Sequence, residues 1–125
     1  SRQYQQNQPT EIINIEVPSK YMALAMNMKT GMSGGALDMD SRAAAEREAI
    51  RTCERGGSNA PCKILAWARN GCIASAQGDE SRRSRLFTVA AEPGLTETKA
   101  LRRCQNAGAH GCKIFLPETC SLPKF

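Results

Sequence analysis

Aromatic residues are scarce in this chain, and long apolar runs are absent from it. The 125 residues include one Trp, two Tyr and three Phe, so a core must rely on aliphatic side chains and alanine. The longest uncharged stretch of note is Tyr21–Met28, which is far shorter than the ~20 apolar residues of a membrane-spanning helix. A chain of this length fits one domain with a modest core, which covalent cross-links would help to stabilise.

The N-terminal segment lacks both an initiator Met and the apolar stretch of a signal peptide. We therefore expect a mature or trimmed N-terminus, with any export signal upstream of Ser1. Residues 1–20 are predicted to be a polar linker, within which Ile12–Ile15 could add an edge strand.

Closely spaced metal-binding cysteine pairs are also missing. The chain has no Cys-x-x-Cys, although it has six cysteines, at positions Cys53, Cys62, Cys72, Cys104, Cys112 and Cys120. Zinc sites need thiolates that reach a single ion, so this wide spacing favours three disulfides over metal binding. Because stable disulfides form in oxidising compartments, we expect a periplasmic, envelope-attached or secreted protein.

Histidine is nearly absent, which restricts catalysis. His110 is the only one, so a mechanism that needs two histidines is excluded. Its setting, Gly108–Gly111, predicts an exposed loop, and no motif supplies the nucleophile or acid that a catalytic imidazole requires. We expect no enzymatic activity, no cofactor and no metal.

An internal repeat of about fifty residues is the most informative feature that is present. Four residues of the first copy recur in the second at a constant offset: Glu46, Ala49, Arg51 and Cys53 match Glu97, Ala100, Arg102 and Cys104. The tripeptide Cys62–Ile64 recurs as Cys112–Ile114, and Cys72 matches Cys120. The order and number of these matches indicate a duplication.

Local patterns predict strand, strand, helix and strand in each copy. In the first, Tyr21–Met28 alternates large and small residues as a strand does, and Met32–Leu37 returns after a Gly turn. Ser41 is a good N-cap for a helix over Arg42–Cys53, which Gly56-Gly57 would end. Lys63–Arg69 is predicted to be the next strand.

The second copy is predicted to begin with a hairpin. Asn70-Gly71 is a strong hairpin signal, so Cys72–Gln77 should pair with Lys63–Arg69. After a polar loop at Gly78–Ser84, a strand at Arg85–Ala91 precedes a helix at Glu97–Asn106. Thr96 would cap that helix, and Pro117 would limit the last strand to Lys113–Leu116.

These elements predict an α+β fold. Two β-β-α-β repeats, residues 21–71 and 72–120, would form one mostly antiparallel sheet core in a single domain over residues 21–125, with two helices packed on it. Each helix ends at a cysteine and the following strand begins with one, so Cys53–Cys62 and Cys104–Cys112 are the favoured disulfides. Cys72–Cys120 would then link equivalent points of the two halves, although six cysteines allow 15 connectivities.

The chain resembles a family of small exported bacterial proteins that is classified as a domain of unknown function. Its repeats run Tyr-x-Ala-Leu-Ala, a Gly-rich turn, Ser-Arg-x-x-Ala-Glu-x-x-Ala, Cys, Cys-Lys-x-x-Ala-Trp and a later Cys. The matching residues are Tyr21, Ala23, Leu24, Ala25, Gly31, Gly34, Gly35, Ser41, Arg42, Ala45, Glu46, Ala49, Cys53, Cys62, Lys63, Ala66, Trp67 and Cys72. The second copy is degenerate, with Phe115-Leu116 in place of Ala66-Trp67. The resemblance covers most of residues 21–120 and implies export and a duplicated fold, but no reaction.

Basic residues give the chain a net charge of +5 and cluster at Arg82, Arg83 and Arg85. This predicted basic loop is either a solvated surface or a contact for anionic surfaces and polyanions. Nucleic acid is an unlikely partner, because the few aromatics are scattered rather than arranged for stacking on bases.

All five methionines lie between Met22 and Met39. Met22, Met26 and Met28 share one strand face, with Met32 near them across the turn. Thioethers are soft ligands for Cu(I), but they also fill irregular cores and form adaptable binding faces.

Three functions from different classes therefore remain. The favoured one is a non-catalytic exported module that binds an unknown protein partner. The alternatives are a binder of anionic surfaces through the basic loop, and a copper carrier or enzyme that uses the methionines or His110.

Overall fold

The computed structural model describes residues 17–55 and 61–124. In these residues the elements are, in chain order, β1 (Tyr21–Asn27), β2 (Ser33–Met39), α1 (Arg42–Glu54), β3 (Cys62–Arg69), β4 (Gly71–Glu80), β5 (Arg83–Ala91), α2 (Thr96–Asn106) and β6 (His110–Ser121). The predictions for Ile12–Ile15 and for Gly56-Gly57 lie outside the described residues.

The strands form two antiparallel three-stranded sheets, so the prediction of one sheet was wrong. The first sheet has the order β2-β1-β3 and the second the order β5-β4-β6. In each sheet the first strand lies in the middle, and the strand that follows the helix pairs on its far side. The α+β class with two helices was predicted correctly, and both halves share the same strand order.

Asn70 explains why the predicted hairpin between Lys63–Arg69 and Cys72–Gln77 does not form. β3 pairs with β1, whereas β4 pairs with β5 and β6. The Asn70 amide donates to the Lys20 carbonyl and its side-chain oxygen accepts from the Lys20 amide, both at 2.8 Å. The segment before β1 therefore binds Asn70, which turns the chain at φ 51° from one sheet to the next.

The charged segment that was predicted as a loop is a β-hairpin instead. β4 and β5 pair as far as Glu80 and Arg83, which leaves Ser81 and Arg82 as a two-residue turn. Both turn residues have positive φ, 47° and 72°. Such turns match the right-handed twist of the flanking strands.

β6 is longer than predicted and runs through Pro117. It is an edge strand, and its register with β4 shifts between Ile73 and Ser75, opposite this proline. An edge strand with an irregular register tolerates a residue that lacks an N–H donor.

The alternation of large and small residues in β1 separates two buried layers. Ala23 and Ala25 belong to the cluster under α1, whereas Met22 and Leu24 pack in a second cluster with Ile73 of β4. A third cluster lies between the second sheet and α2. The layers therefore follow in the order α1, first sheet, second sheet, α2.

The N-termini of the two helices are stabilised differently. The Ser41 hydroxyl accepts a bond from the Ala44 amide at 3.0 Å, as predicted for an N-cap. The predicted cap Thr96 is instead the first residue of α2, and the flanking Leu95 makes no side-chain cap bond. The Glu118 carboxylate of β6 accepts from the amides of Gly94 and Thr96, at 2.9 and 3.3 Å, and supplies the cap from outside the helix.

The three disulfides join Cys53 to Cys62, Cys72 to Cys120 and Cys104 to Cys112, which are the pairs favoured by the sequence. The first and third each fasten the end of a helix to the strand that follows. Cys72 and Cys120 lie opposite each other on β4 and β6. This bond is therefore internal to the second sheet rather than a link between the two halves.

Candidate functional site

The predicted basic residues occupy the tip of the β4–β5 hairpin and the start of β5. Arg82 and Arg83 are exposed and have no ion pair with another residue that the structure describes. Arg85 donates to the Glu80 carboxylate at 3.1 Å, and its guanidinium carbon lies 5.0 Å from the centre of the Phe87 ring. Arg85 is thus held in place by these contacts, whereas the side chains of Arg82 and Arg83 are exposed and make no such ion pair with a described residue.

A cleft of about 530 Å³ lies beside this hairpin. Its walls come from four elements: the end of β1 and the turn after it, β3, β5 and α2. We call it the Met/Arg cleft, after the residues that define it: Met26, Met28, Leu65, Arg85, Phe87 and Arg103.

The floor of the Met/Arg cleft is apolar. Met26 and Phe87 are only 5% and 6% exposed, and Leu65 is half-buried beside them. Met28 differs, because 64% of its surface is exposed. The cleft therefore combines a fixed apolar floor with one flexible thioether side chain in contact with solvent.

The turn after β1 places Met28 in this position. The buried Asn27 accepts bonds from the amides of Lys29 and Thr30 through its side-chain oxygen, at 2.9 and 3.2 Å. The Asn27 carbonyl also accepts from the Gly31 amide, and Gly31 has the positive φ of 77° that glycine adopts readily. This network fixes the backbone around Met28 and leaves its side chain outside the core.

Positive charge is concentrated on the α2 side of the cleft. Arg103, Arg102 and Lys99 have no ion pair with any other described residue. On α1, by contrast, Arg42 pairs with Glu46 and Arg51 with Glu48. The α2 side of the cleft therefore carries three neighbouring cations without an ion pair to a described residue, whereas two of the arginines of α1 are paired.

The methionines do not form one cluster. Met22 lies in the core between the sheets and Met26 in the cleft floor, whereas Met28 and Met32 are exposed. The structure thus brings Met26 and Met28 together with Arg85, a combination of two features that the sequence left separate.

His110 begins β6 rather than lying in a loop, and it is exposed. It faces Asp79 across the ladder, and the Asp79 carboxylate accepts a bond from the Ser84 hydroxyl at 3.2 Å. Ser84 and His110 lie on the two strands that flank β4, about 10 Å apart at the usual strand spacing, so the imidazole does not reach the Ser84 hydroxyl as a nucleophile–base pair requires.

Trp67 has a structural setting on the first sheet. Its ring stacks against Tyr21, with ring centres 6.5 Å apart, and the Arg42 guanidinium lies 4.3 Å above it. These contacts cover the indole, which is half-buried.

Sequence patterns did not identify Arg103 or Leu65 as site residues. Arg103 lies in a helix whose cationic residues look like an ordinary solvated face, and Leu65 alternates as a strand residue should. Arg103 and Leu65 line the same cleft because of how the two sheets pack on each other. No local sequence pattern predicts that packing. The one visible hint was that α2 contains a single acidic residue, Glu97, whereas α1 contains three.

The fold and its cross-links define the class of protein: a disulfide-rich α+β domain, consistent with an extracytoplasmic location. Neither α1 nor α2 has the length and apolar content of a membrane-spanning helix. Residues 21–119 match the family described as Domain of unknown function (DUF4189), and the chain belongs to this family. No curated protein and no solved structure matches the chain significantly.

Proposed function

We propose that this chain is a non-catalytic binding module, periplasmic, envelope-attached or secreted, that binds a protein partner through the Met/Arg cleft. The observation that carries the proposal is the composition of the cleft: a buried apolar floor, an exposed methionine and two arginines. Met, Arg and aromatic residues are the types enriched in the cores of protein interfaces.

The rigidity of the surroundings supports this role. β5 is paired along its whole length with β4, and the cross-strand disulfide and α2 fasten the same sheet. A preformed cleft on such a scaffold loses little conformational entropy when it binds. Met28 supplies local adaptability, because its unbranched side chain adjusts to the shape of a partner.

The chemistry of the cleft supports binding rather than catalysis. Arg85 and Arg103 are its only titratable lining residues in the described part of the chain, and arginine stays protonated at physiological pH. Ser84 lies at the cleft, where its hydroxyl donates to the Asp79 carboxylate, and none of the described residues that line the cleft is a histidine that could act as its base.

Affinity capture with matched baits tests the proposal. The oxidised domain and a double variant, Met28→Glu with Arg103→Glu, are used as baits on envelope and culture-fluid extracts. The control bait carries Phe115→Glu and Arg47→Glu, which make the same kinds of change at exposed positions on β6 and α1. Any captured protein is then purified and titrated against all three domains.

We expect one protein to bind the wild type and the control alike at moderate salt and to lose most of its affinity for the cleft variant. Equal binding by all three domains would exclude the Met/Arg cleft as the interface. Binding that disappears for every domain at moderate salt would favour a purely charge-driven surface contact.

A second candidate, binding to an anionic surface, is supported by the unpaired cations of the second half. Arg82, Arg83, Lys99, Arg102 and Arg103 have no ion pairs with described residues, whereas two arginines of α1 do. Vesicles with and without anionic lipid test it at low and moderate salt. This function predicts steep salt dependence and loss of binding in an Arg82→Glu, Arg83→Glu variant.

A further inference from the structure

The Met/Arg cleft continues along β5 into a second, shallower cleft of about 560 Å³. Val89 and Ala90 of β5 line one side of it, and Lys99, Arg102 and Arg103 of α2 line the other. Arg103 borders both clefts. An apolar recess is thus joined directly to a strip of cationic side chains, which we call the basic track and define as Arg103 and Lys99.

The two residues of the basic track lie on the same face of α2. They are four positions apart, which is about 6 Å along a helix axis. Side chains two positions apart on one face of an extended polypeptide are about 7 Å apart. Acidic residues at alternate positions of an extended segment would therefore match the spacing of Arg103 and Lys99.

The charge of the track selects for a negatively charged ligand. Neither cation has an ion pair within the described residues, and Arg102 adds a third positive charge beside them. Like charges on neighbouring turns of a helix repel one another, and a bound carboxylate relieves this repulsion.

We infer that the partner presents an extended acidic segment: one apolar side chain fills the Met/Arg cleft, and acidic side chains at alternate positions lie along Arg103 and Lys99. This inference rests on the proposed function and names the kind of ligand that the same site takes.

The apolar end of the site favours a polypeptide over other anions. A sugar-phosphate backbone or a lipid headgroup would match the basic track but would leave the floor of Met26, Leu65 and Phe87 unfilled. Among the residues that the structure describes, the site also offers no aromatic ring on which a nucleic-acid base could stack, because Phe87 is buried and Trp67 lies beneath Arg42. A leucine-sized side chain suits the floor, and flanking carboxylates suit the arginines.

Binding of short synthetic peptides to the oxidised full chain tests the inference. The probe carries one leucine and two glutamates at alternate positions, with serines between them, and is made in both chain directions. One control peptide replaces the glutamates with glutamine, and a second replaces the leucine with serine. Affinities are measured by calorimetry at moderate salt.

We expect one direction of the probe to bind roughly tenfold more tightly than its glutamine control, which is the size expected for two partly exposed ion pairs. The serine control should bind more weakly than the probe as well. Arg103→Glu should abolish the preference for glutamate, whereas Arg47→Glu, the same change at an exposed position of α1, should preserve it.

A probe that binds no better than its glutamine control, in either direction, would overturn the inference. So would equal losses in the Arg103→Glu and Arg47→Glu variants, because they would indicate attraction by net charge alone. Anionic vesicles run in parallel identify the other outcome: binding to vesicles but not to peptides, lost in Arg103→Glu, would make the track a membrane contact.

Failure of the inference can be distinguished from failure of the proposed function. A captured protein that still depends on Met28 and Arg103 while all peptides fail would leave the proposed function standing and remove only the acidic segment. If the captured protein binds the Met28→Glu, Arg103→Glu variant as tightly as the wild type, both the inference and the proposed function are wrong.

Discussion

At Gly34 the first sheet and α1 approach so closely that a side chain has no room. A Cβ atom there would overlap the backbone nitrogen of Cys53 and lie 2.9 Å from the Ala49 carbonyl oxygen. Both obstacles are helix backbone, which cannot rotate away. The neighbouring Gly35 differs, because its Cβ would meet only the Ala23 carbonyl oxygen at an ordinary 3.6 Å.

We therefore expect Gly34→Ala to lower the free energy of unfolding by about 1–3 kcal/mol, as overpacking of a core does. Gly35→Ala should change it by less than about 0.5 kcal/mol. Urea denaturation of the two oxidised variants provides the comparison. Similar stabilities would contradict the close approach of α1 to β2.

Glu118 is the second residue with a specific structural role: its carboxylate, on β6, caps the N-terminus of α2. Hydrogen bonding to Thr96, together with the Gly94 amide, holds the pKa of Glu118 below its usual value. A carboxylate with a lowered pKa stabilises the fold above its unfolded-state pKa, and the stabilisation is lost as the pH falls through the folded-state pKa.

The variant Glu118→Gln should consequently be less stable than the wild type at about pH 7, and the difference should shrink towards about pH 3. Denaturation curves at both pH values measure this. A difference that stayed constant with pH would mean that the charge of Glu118 contributes nothing to the cap.

At the scale of elements, the connection between β3 and β4 decides the architecture. Asn70 adopts a left-handed conformation and exchanges two hydrogen bonds with Lys20. Asn tolerates this backbone better than alanine does, and glycine tolerates it best but lacks the side-chain oxygen.

Two replacements of Asn70 should thus separate the contribution of its side-chain hydrogen bonds to stability from that of its left-handed backbone. Asn70→Gly loses the side-chain bonds to the Lys20 amide and the Ser19 hydroxyl, at about 1–2 kcal/mol in all, whereas Asn70→Ala also strains the backbone by roughly another 1–2 kcal/mol. Thermal unfolding should rank wild type above Asn70→Gly and Asn70→Ala last. If the alanine variant were as stable as the glycine variant, the left-handed corner would be unimportant.

The sequence predicted the elements better than their pairing. Alternation in Tyr21–Met28 and the alanine face of Arg42–Cys53 predicted β1 and α1 to within one residue. The hairpin prediction at Asn70-Gly71 was wrong because the same local sequence signal fits a hairpin and a turn that leads from one sheet to the other. Lys20 decides between them, and it lies fifty positions away in sequence.

At the scale of the whole molecule, the disulfides differ in the length of chain that they close. Cys72–Cys120 spans 48 residues and Cys104–Cys112 spans 8. Each pair has one fully buried and one partly buried cysteine, so replacement with alanine removes similar packing from both.

Replacing Cys72 and Cys120 with alanine should cost about 4 kcal/mol, compared with about 2.5 kcal/mol for Cys104 and Cys112, because the longer loop restricts the unfolded chain more. Guanidinium denaturation of the two double variants checks the order. The reverse order would mean that native packing, rather than loop closure, sets the contribution of these bonds.

The Met/Arg cleft also belongs to this scale, since residues from both halves build it. The sequence predicted Arg85 and drew attention to the methionines, but only the stacking of the two sheets places them around one recess. Periodicity reports which face of an element is buried, and it carries no information on how two sheets meet.

Amide hydrogen exchange, with and without a captured and purified partner, tests the central claim most directly. Binding through the Met/Arg cleft predicts slower exchange in the turn after β1 and in the first half of β5, residues 27–31 and 84–88, with α1 and β6 unchanged. Protection confined to α1 or β6, with the cleft unaffected, would contradict the claim and place the interface elsewhere on the molecule.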